Sequence, residues 1–179
     1  MFILYAIPIG LLAGLVTGGR LEGLSSLRFR LAPLAIGGLL VQLVLFALPQ
    51  SESLAAIGPA VYVASTAVVL VAVLANLRVP GVPLIALGAG ANLAAILANG
   101  GAMPVRPETL IAAGLEPHEG FSNSVVTSQP VLEPLTDVFA IPAGLPLANV
   151  FSIGDVLIAI GIATAIAVAM RGERLRPTG

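Results

Sequence analysis

Two aspartates are the residues of this sequence whose type and spacing could carry chemistry. Asp155 lies about one turn inside the run FSIGDVLIAIGIATAIAVAM, residues 151–170, which is long enough to cross a bilayer. A charge buried in hydrocarbon costs roughly 2.5 to 3.5 kcal/mol at a helix centre and less near an end, so an acid in such a run is a functional candidate. Asp137 precedes it by 18 residues in a proline-rich loop. Asp137 and Asp155 are therefore the candidate catalytic residues.

A pair of neighbouring carboxyl groups can divide the acid and base roles of a hydrolysis. Two close carboxylates cannot both ionise easily, so one activates water while the other protonates the reacting group. Such a pair needs no cysteine, lysine or metal, and we expect its carboxyls to approach within about 6 Å. The alternative is that Asp155 caps a helix or bonds to a neighbouring helix, while Asp137 is a solvated loop acid. The spacing leaves both interpretations open.

The composition excludes several other chemistries. The chain has no cysteine and no lysine, which removes thiol proteases, thiolate metal sites, Ser/Lys dyads and Walker-type phosphate loops. Its single histidine, His118, cannot form a multi-histidine metal site, and it is either an exposed loop residue, a pH-sensitive group or a lone ligand. We predict no metal and no cofactor. A net charge of -1 without a basic run argues against a nucleic-acid partner.

The elements that must position the aspartates are apolar helices. The chain is 58% hydrophobic and 9% charged, with a mean hydropathy of +1.05, far from a water-soluble composition. We predict a single all-α membrane domain over 1–179, a polytopic transmembrane helix bundle of about five spans whose main partner is the lipid bilayer. The sequence specifies no oligomeric state. The predicted spans are 3–19, 31–49, 57–77, 82–99 and 150–170.

The arginines predict the orientation of these spans. If five spans alternate, seven of the eight basic residues fall on one side, and only Arg106 falls on the other. The positive-inside rule then puts the N-terminus outside and the C-terminus in the cytoplasm of a multi-pass plasma-membrane protein. The long loop 100–149 lies on the outer face, near Asp155, and a short helix is expected to begin at Pro107 and end at Gly114.

Two asparagines are further candidates for the site. Asn92 and Asn99 lie seven residues apart, which is about two helical turns, so they share a face of the fourth span. They could bind a substrate backbone or hold the aspartates. The alternative is ordinary bonding between helices, which is worth about 0.6 kcal/mol per contact in membrane proteins.

One part of the chain resembles a known protease family. The segment LTDVFAIPAGLPLANVFSIGDVLIAIG is similar to the C-terminal part of signal peptidase II, the aspartyl membrane protease that trims bacterial lipoprotein precursors. The resemblance implies Asp137 in LTDVF and Asp155 in FSIGD as the catalytic pair, and a membrane-anchored peptide or lipoprotein as substrate. Ser152 and Gly154 stand where that family has asparagine and alanine.

A second fragment, Asn99-Gly100-Gly101-Ala102, resembles the Asn-x-Gly-Ala motif of the same family. It implies Asn99 and Gly101, together with Asn92, as substrate-binding residues. The two spans that the family inserts after this motif are missing here. As a whole, the chain also resembles a family of small bacterial membrane proteins of unknown function, which implies no activity.

Three functions are therefore open. The first is an aspartyl hydrolase at the outer membrane interface that uses Asp137 and Asp155. The second is a non-catalytic membrane scaffold or subunit that binds a partner through loop 100–149. The third is a proton-coupled transport component in which Asp155 titrates.

Overall fold

The computed structural model describes residues 2–48, 51–116 and 122–172. His118 lies outside these residues, as do Arg174 and Arg176, two of the arginines that enter the orientation argument.

Helices make up most of the structure. Short 3-10 helices occur at Phe2–Tyr5, Leu21–Ser26 and Glu133–Leu135. The α-helices are α1 Ala6–Val16, α2 Ala32–Ala47, α3 Glu52–Leu74, α4 Val82–Ala98, α5 Pro107–Ala112 and α6 Ile153–Arg171. A helix overlaps each of the five predicted segments, although five membrane spans stay a prediction. Helix α3 starts five residues earlier than expected, because Ser51 caps it by accepting a bond from Leu54 N–H. The short helix predicted from Pro107 is α5.

Two described helices, α3 and α6, are long and apolar enough to cross a membrane. The other apolar helices, Phe2–Val16, α2 and α4, have 10–17 residues. Within the most apolar 18 residues, only 17% are buried in α3 and 33% in α6, whereas the core helix of a water-soluble protein is mostly buried. Large apolar side chains instead point outward, including Leu12, Leu43 and Leu87, each more than 60% exposed.

The helices pack in the order α2, α3, α4, α6, α1, so α6 lies between α4 and α1. Small residues allow the close approaches. An added Cβ on Gly10 of α1 would lie 2.9 Å from the backbone of Ala163 in α6. At Gly88 of α4, it would overlap the carbonyl oxygen of Gly154. This packing brings α4 and the start of α6 into contact.

The predicted loop 100–149 contains strands, which corrects the all-α prediction. β1 Met103–Val105 pairs in parallel with β2 Ser124–Val126, and β3 Phe139–Ile141 pairs antiparallel with β4 Asn149–Phe151. Each strand has three residues, too few for an alternating pattern to be readable in the sequence. A small core of Val105, Leu110, Ala113 and Val150 holds α5 against these strands. The described residues of 103–116 and 122–151 thus form a small folded unit, which we call the strand cap.

Candidate functional site

Asp155 is the third residue of α6 and takes part in its N-terminal cap. Its backbone N–H donates to Ser152 Oγ at 3.0 Å, and its Oδ2 accepts from the Ser152 N–H at 3.1 Å. This reciprocal arrangement is a capping box, which satisfies donors that a helix start otherwise leaves unpaired. The cap explains why an acid is tolerated at this end of an apolar helix.

A second helix contributes to the same cluster. Asn92 of α4 donates from Nδ2 to Asp155 Oδ1 at 2.8 Å, and its Oδ1 accepts from Ser152 Oγ at 2.8 Å. Ser152 is completely buried. Glycine is required at 154, because an added Cβ there would overlap Asn92 Oδ1. Asn92 therefore bonds through its side chain to both Ser152 and Asp155, which are themselves joined by two bonds from backbone N–H groups to side chains. Asp155 thus both caps its helix and bonds to a neighbouring one.

Asp137 is positioned by the edge of β1. Its backbone N–H donates to the carbonyl of Pro104 at 3.0 Å, and it forms an isolated parallel bridge with Val105. Its side chain faces inward, so that the residue is only 6% exposed. The interpretation of Asp137 as a solvated loop acid is therefore wrong.

The Asp137 carboxyl has an unusual environment. Burial raises the pKa of Asp137 from 3.8 to about 7, and the negative charge of Asp155 adds to the rise. The two carboxyls therefore interact electrostatically. Near neutral pH, Asp137 exchanges between its protonated and ionised forms, while Asp155 is held by fixed donors.

Tyr62 of α3 completes this region and was missed from the sequence. It packs against the cluster of Ala95, Ile96 and Met103, next to the strand that holds Asp137. The charges of both Asp137 and Asp155 act on its phenol. The only signal available in the sequence was one tyrosine in a mostly apolar span that also contains Ser65 and Thr66, which by itself does not indicate a site.

Asn99 and Gly101 have structural contacts at the end of α4. Asn99 Oδ1 accepts from Val131 N–H at 2.8 Å, and Nδ2 donates to the carbonyls of Val131 and Ala95, both at 2.8 Å. Gly101 has φ +91°, and an added Cβ would lie 2.6 Å from Pro59 Cβ. Asn99 thus fastens the segment that leads to Asp137. Substrate binding by Asn99 or Gly101 stays a prediction and would require these contacts to open.

An ion pair joins two segments of the chain that lie near Asp137 in sequence or pairing. Arg106 Nη2 and Glu133 Oε1 are 2.7 Å apart, and both side chains are more than 40% exposed. The pair joins the start of α5 to the turn that precedes Asp137. Within residues 2–48, 51–116 and 122–172, no three acidic or histidine side chains come together as metal ligands. The chemistry available here is that of carboxyls, an amide and hydroxyls.

These features define a set of packed apolar helices joined to two small strand pairs, with Asp155 at the start of α6 and Asp137 within electrostatic range of it. Residues 26–167 match DUF5317, a family of unknown function, and the chain belongs to this family. No match was found among curated proteins or among solved structures. The family brings no activity with it, and the resemblance to signal peptidase II stays a prediction.

Proposed function

We propose that this chain is a multi-pass plasma-membrane protein in which Asp137 and Asp155 form the acid–base pair of an aspartyl hydrolase. The proposed orientation has the N-terminus outside, the C-terminus in the cytoplasm and the carboxyl pair at the outer membrane–water interface. Low burial of the apolar residues in α3 and α6 supports a lipid environment. The arginine distribution supports the orientation.

The observation that carries the proposal is the contrast between the two carboxyls. Asp137 is buried, and its pKa is raised to about 7 by that burial and by the charge of Asp155. Asp155 accepts bonds from Ser152 and Asn92 at the positive end of a helix dipole, an arrangement that suits a carboxylate. Two acids in environments this different can take the acid and the base role.

The reaction follows from these roles. Asp155 accepts a proton from water as the water oxygen attacks a peptide carbonyl carbon, and Asp137 protonates the carbonyl oxygen. The resulting gem-diol collapses with cleavage of the C–N bond. Asp155 then returns its proton to the leaving nitrogen, and a diol hydroxyl reprotonates Asp137. Atoms and charges balance for hydrolysis of one peptide bond, and neither metal nor cofactor takes part.

The substrate class follows from the place of the pair. Asp155 lies where α6 begins, and Asp137 interacts with it electrostatically, so the proposed target is a peptide bond close to the membrane surface. A membrane-anchored polypeptide is therefore the proposed substrate. A lipoprotein substrate rests on the resemblance to signal peptidase II alone.

The Asp137 carboxyl also supports a second candidate function, that of a proton-coupled transport component. A carboxyl with a pKa near 7 binds and releases protons at physiological pH, as a proton-coupled transport component requires. The two functions have different requirements. Hydrolysis needs the carboxyls of both Asp137 and Asp155, while proton transfer needs Asp137 and a path for protons through the helix bundle.

Binding of a transition-state mimic tests the hydrolase without knowledge of the natural substrate. A statine-containing peptide presents a hydroxyl where the gem-diol would form, and such analogues bind far more tightly than substrates. We expect the detergent-solubilised chain to bind it, with at least tenfold weaker binding in Asp137→Asn and in Asp155→Asn.

The matched control is Glu108→Gln, which removes an exposed acid from α5 of the strand cap. It should bind like the wild type. Equal binding by all four proteins, or by none of them, would refute the hydrolase. Proton flux into liposomes that is lost in Asp137→Asn would then favour the transport component.

A further inference from the structure

The chain between the two aspartates carries no charged side chain over residues 138–154. It forms the β3–β4 hairpin, whose tip, residues 142–148, contains Leu145 and Leu147. These leucines are 56% and 45% exposed. Turns of water-soluble proteins are usually made of glycine, asparagine, aspartate and serine, so an exposed leucine pair at a hairpin tip requires an explanation.

The tip is fixed to the helix bundle. The Tyr5 hydroxyl donates to the Pro146 carbonyl, which joins the tip to the residues just before α1. At the base of the hairpin, the Phe151 ring stacks on Phe2 with centroids 4.1 Å apart and on Phe139 with centroids 5.4 Å apart. The hairpin therefore lies against the starts of both α1 and α6.

The backbone of the tip is strained in a way that presents an apolar side chain. Leu147 has φ +57°, in the left-handed region that residues other than glycine seldom adopt. Strain of this kind persists where the surrounding structure imposes it, and it is concentrated at functional positions. At position 147, the turn has a conformation that favours glycine, yet the residue is an exposed leucine.

The apolar surface of the neighbouring helices adjoins the tip. Ile9 of α1 and Ile160 of α6 are 58% and 49% exposed, and they line one groove together with Tyr5, which bonds to the tip. A lipid chain in this groove therefore reaches the hairpin as well. The absence of charge over 138–154 also removes the rim of ionic groups that specific protein interfaces usually carry.

We propose that the hairpin tip is a lipid-interface anchor, in which Leu145 and Leu147 insert at the headgroup–acyl boundary of the outer leaflet. Because the hairpin directly connects Asp137 to Asp155, the anchor fixes the depth of the carboxyl pair relative to the membrane surface. This inference rests on the membrane location proposed above but not on the hydrolase chemistry.

A single tryptophan tests the anchor, because the chain contains none. Leu145→Trp places the probe at the hairpin tip, and Ile160→Trp places it on the exposed face of α6. Ser128→Trp places it at an exposed position of the strand cap, just after β2. Each protein is reconstituted in phosphatidylcholine vesicles with and without brominated acyl chains. We expect bromine to reduce emission at least twofold for positions 145 and 160, and to leave position 128 unchanged.

If bromine does not quench Leu145→Trp, the lipid anchor is refuted, and the emission wavelength shows what surrounds the tip instead. Unquenched, red-shifted emission from Leu145→Trp means that the tip faces water. Unquenched, blue-shifted emission means that protein, such as a second copy of the chain, covers it. If Ile160→Trp also escapes quenching, the membrane location itself is refuted. A nitroxide on Leu145→Cys, in a chain without other cysteines, repeats the depth measurement with a different probe.

Discussion

Replacing Asp137 by asparagine should stabilise the folded chain at alkaline pH and not at acidic pH. The folded-state pKa of Asp137 lies at about 7, above its ordinary value of 3.8. Between about pH 4 and pH 7, the folded chain therefore binds more protons than the unfolded chain, so the free energy of unfolding falls as the pH rises through this window. The rise in pKa corresponds to about 4 kcal/mol, at about 1.4 kcal/mol per tenfold change in proton affinity.

That destabilisation is complete above pH 7 and absent below pH 4. Asparagine has nearly the same shape as aspartate and never ionises, so the variant avoids this destabilisation at every pH. At about 2 to 4 °C per kcal/mol for a chain of this length, Asp137→Asn should unfold about 10 °C higher than wild type at pH 8. At pH 4.5, most of this difference should vanish. The assay is thermal unfolding in detergent, followed by circular dichroism at both pH values.

The comparison between two pH values removes any constant effect of the new amide group. Glu108→Gln is the control, because Glu108 is exposed and its replacement should change neither curve. If the difference between Asp137→Asn and wild type is the same at pH 4.5 and pH 8, the carboxyl does not titrate in the folded state as burial and Asp155 require, and the reasoning fails.

Further outcomes are expected at the same site. Gly154→Ala should destabilise the fold by about 1 to 3 kcal/mol, because the new methyl group overlaps Asn92 Oδ1, while Gly90→Ala, with open space around it, should be neutral or stabilising in the same unfolding assay. Ser152→Ala removes the cap of α6 and should lower the free energy of unfolding by about 1 kcal/mol; an unchanged value would contradict the role of the capping box. If the hydrolase is active, its rate should fall about tenfold per pH unit above about pH 7, as Asp137 loses its proton, and a rate that keeps rising would exclude Asp137 as the acid.

The helices could be predicted from the sequence because long apolar runs bounded by glycine, proline and arginine carry a strong signal. The start of α6 shows the limit of prediction from hydropathy. Residues 150 and 151 were assigned to the span, but they belong to β4, since an apolar residue has the same hydropathy in a strand as in a helix.

The candidate site was predictable only in part. Asp155 could be found because a charge is costly in an apolar run, and Asn92 because a polar residue recurs on one helix face. The burial of Asp137 could not be predicted, because it depends on a backbone bond to Pro104 and a bridge to Val105 across more than thirty residues of chain. The sequence signal of Tyr62 was too weak to indicate a site, since only the packing of α3 beside α4 brings its phenol within electrostatic range of the carboxyls.

The position of α6 also has a consequence for the order of assembly. All the other described helices precede α6 in synthesis, yet α6 is the helix that α1 and α4 both pack against. Until α6 emerges from the ribosome, the amide of Asn92 lacks its two partners, and Gly10 faces an empty groove. The contacts of Asn92 with Ser152 and Asp155, and the approach of Asp137 to Asp155, therefore cannot form before α6 has been synthesised.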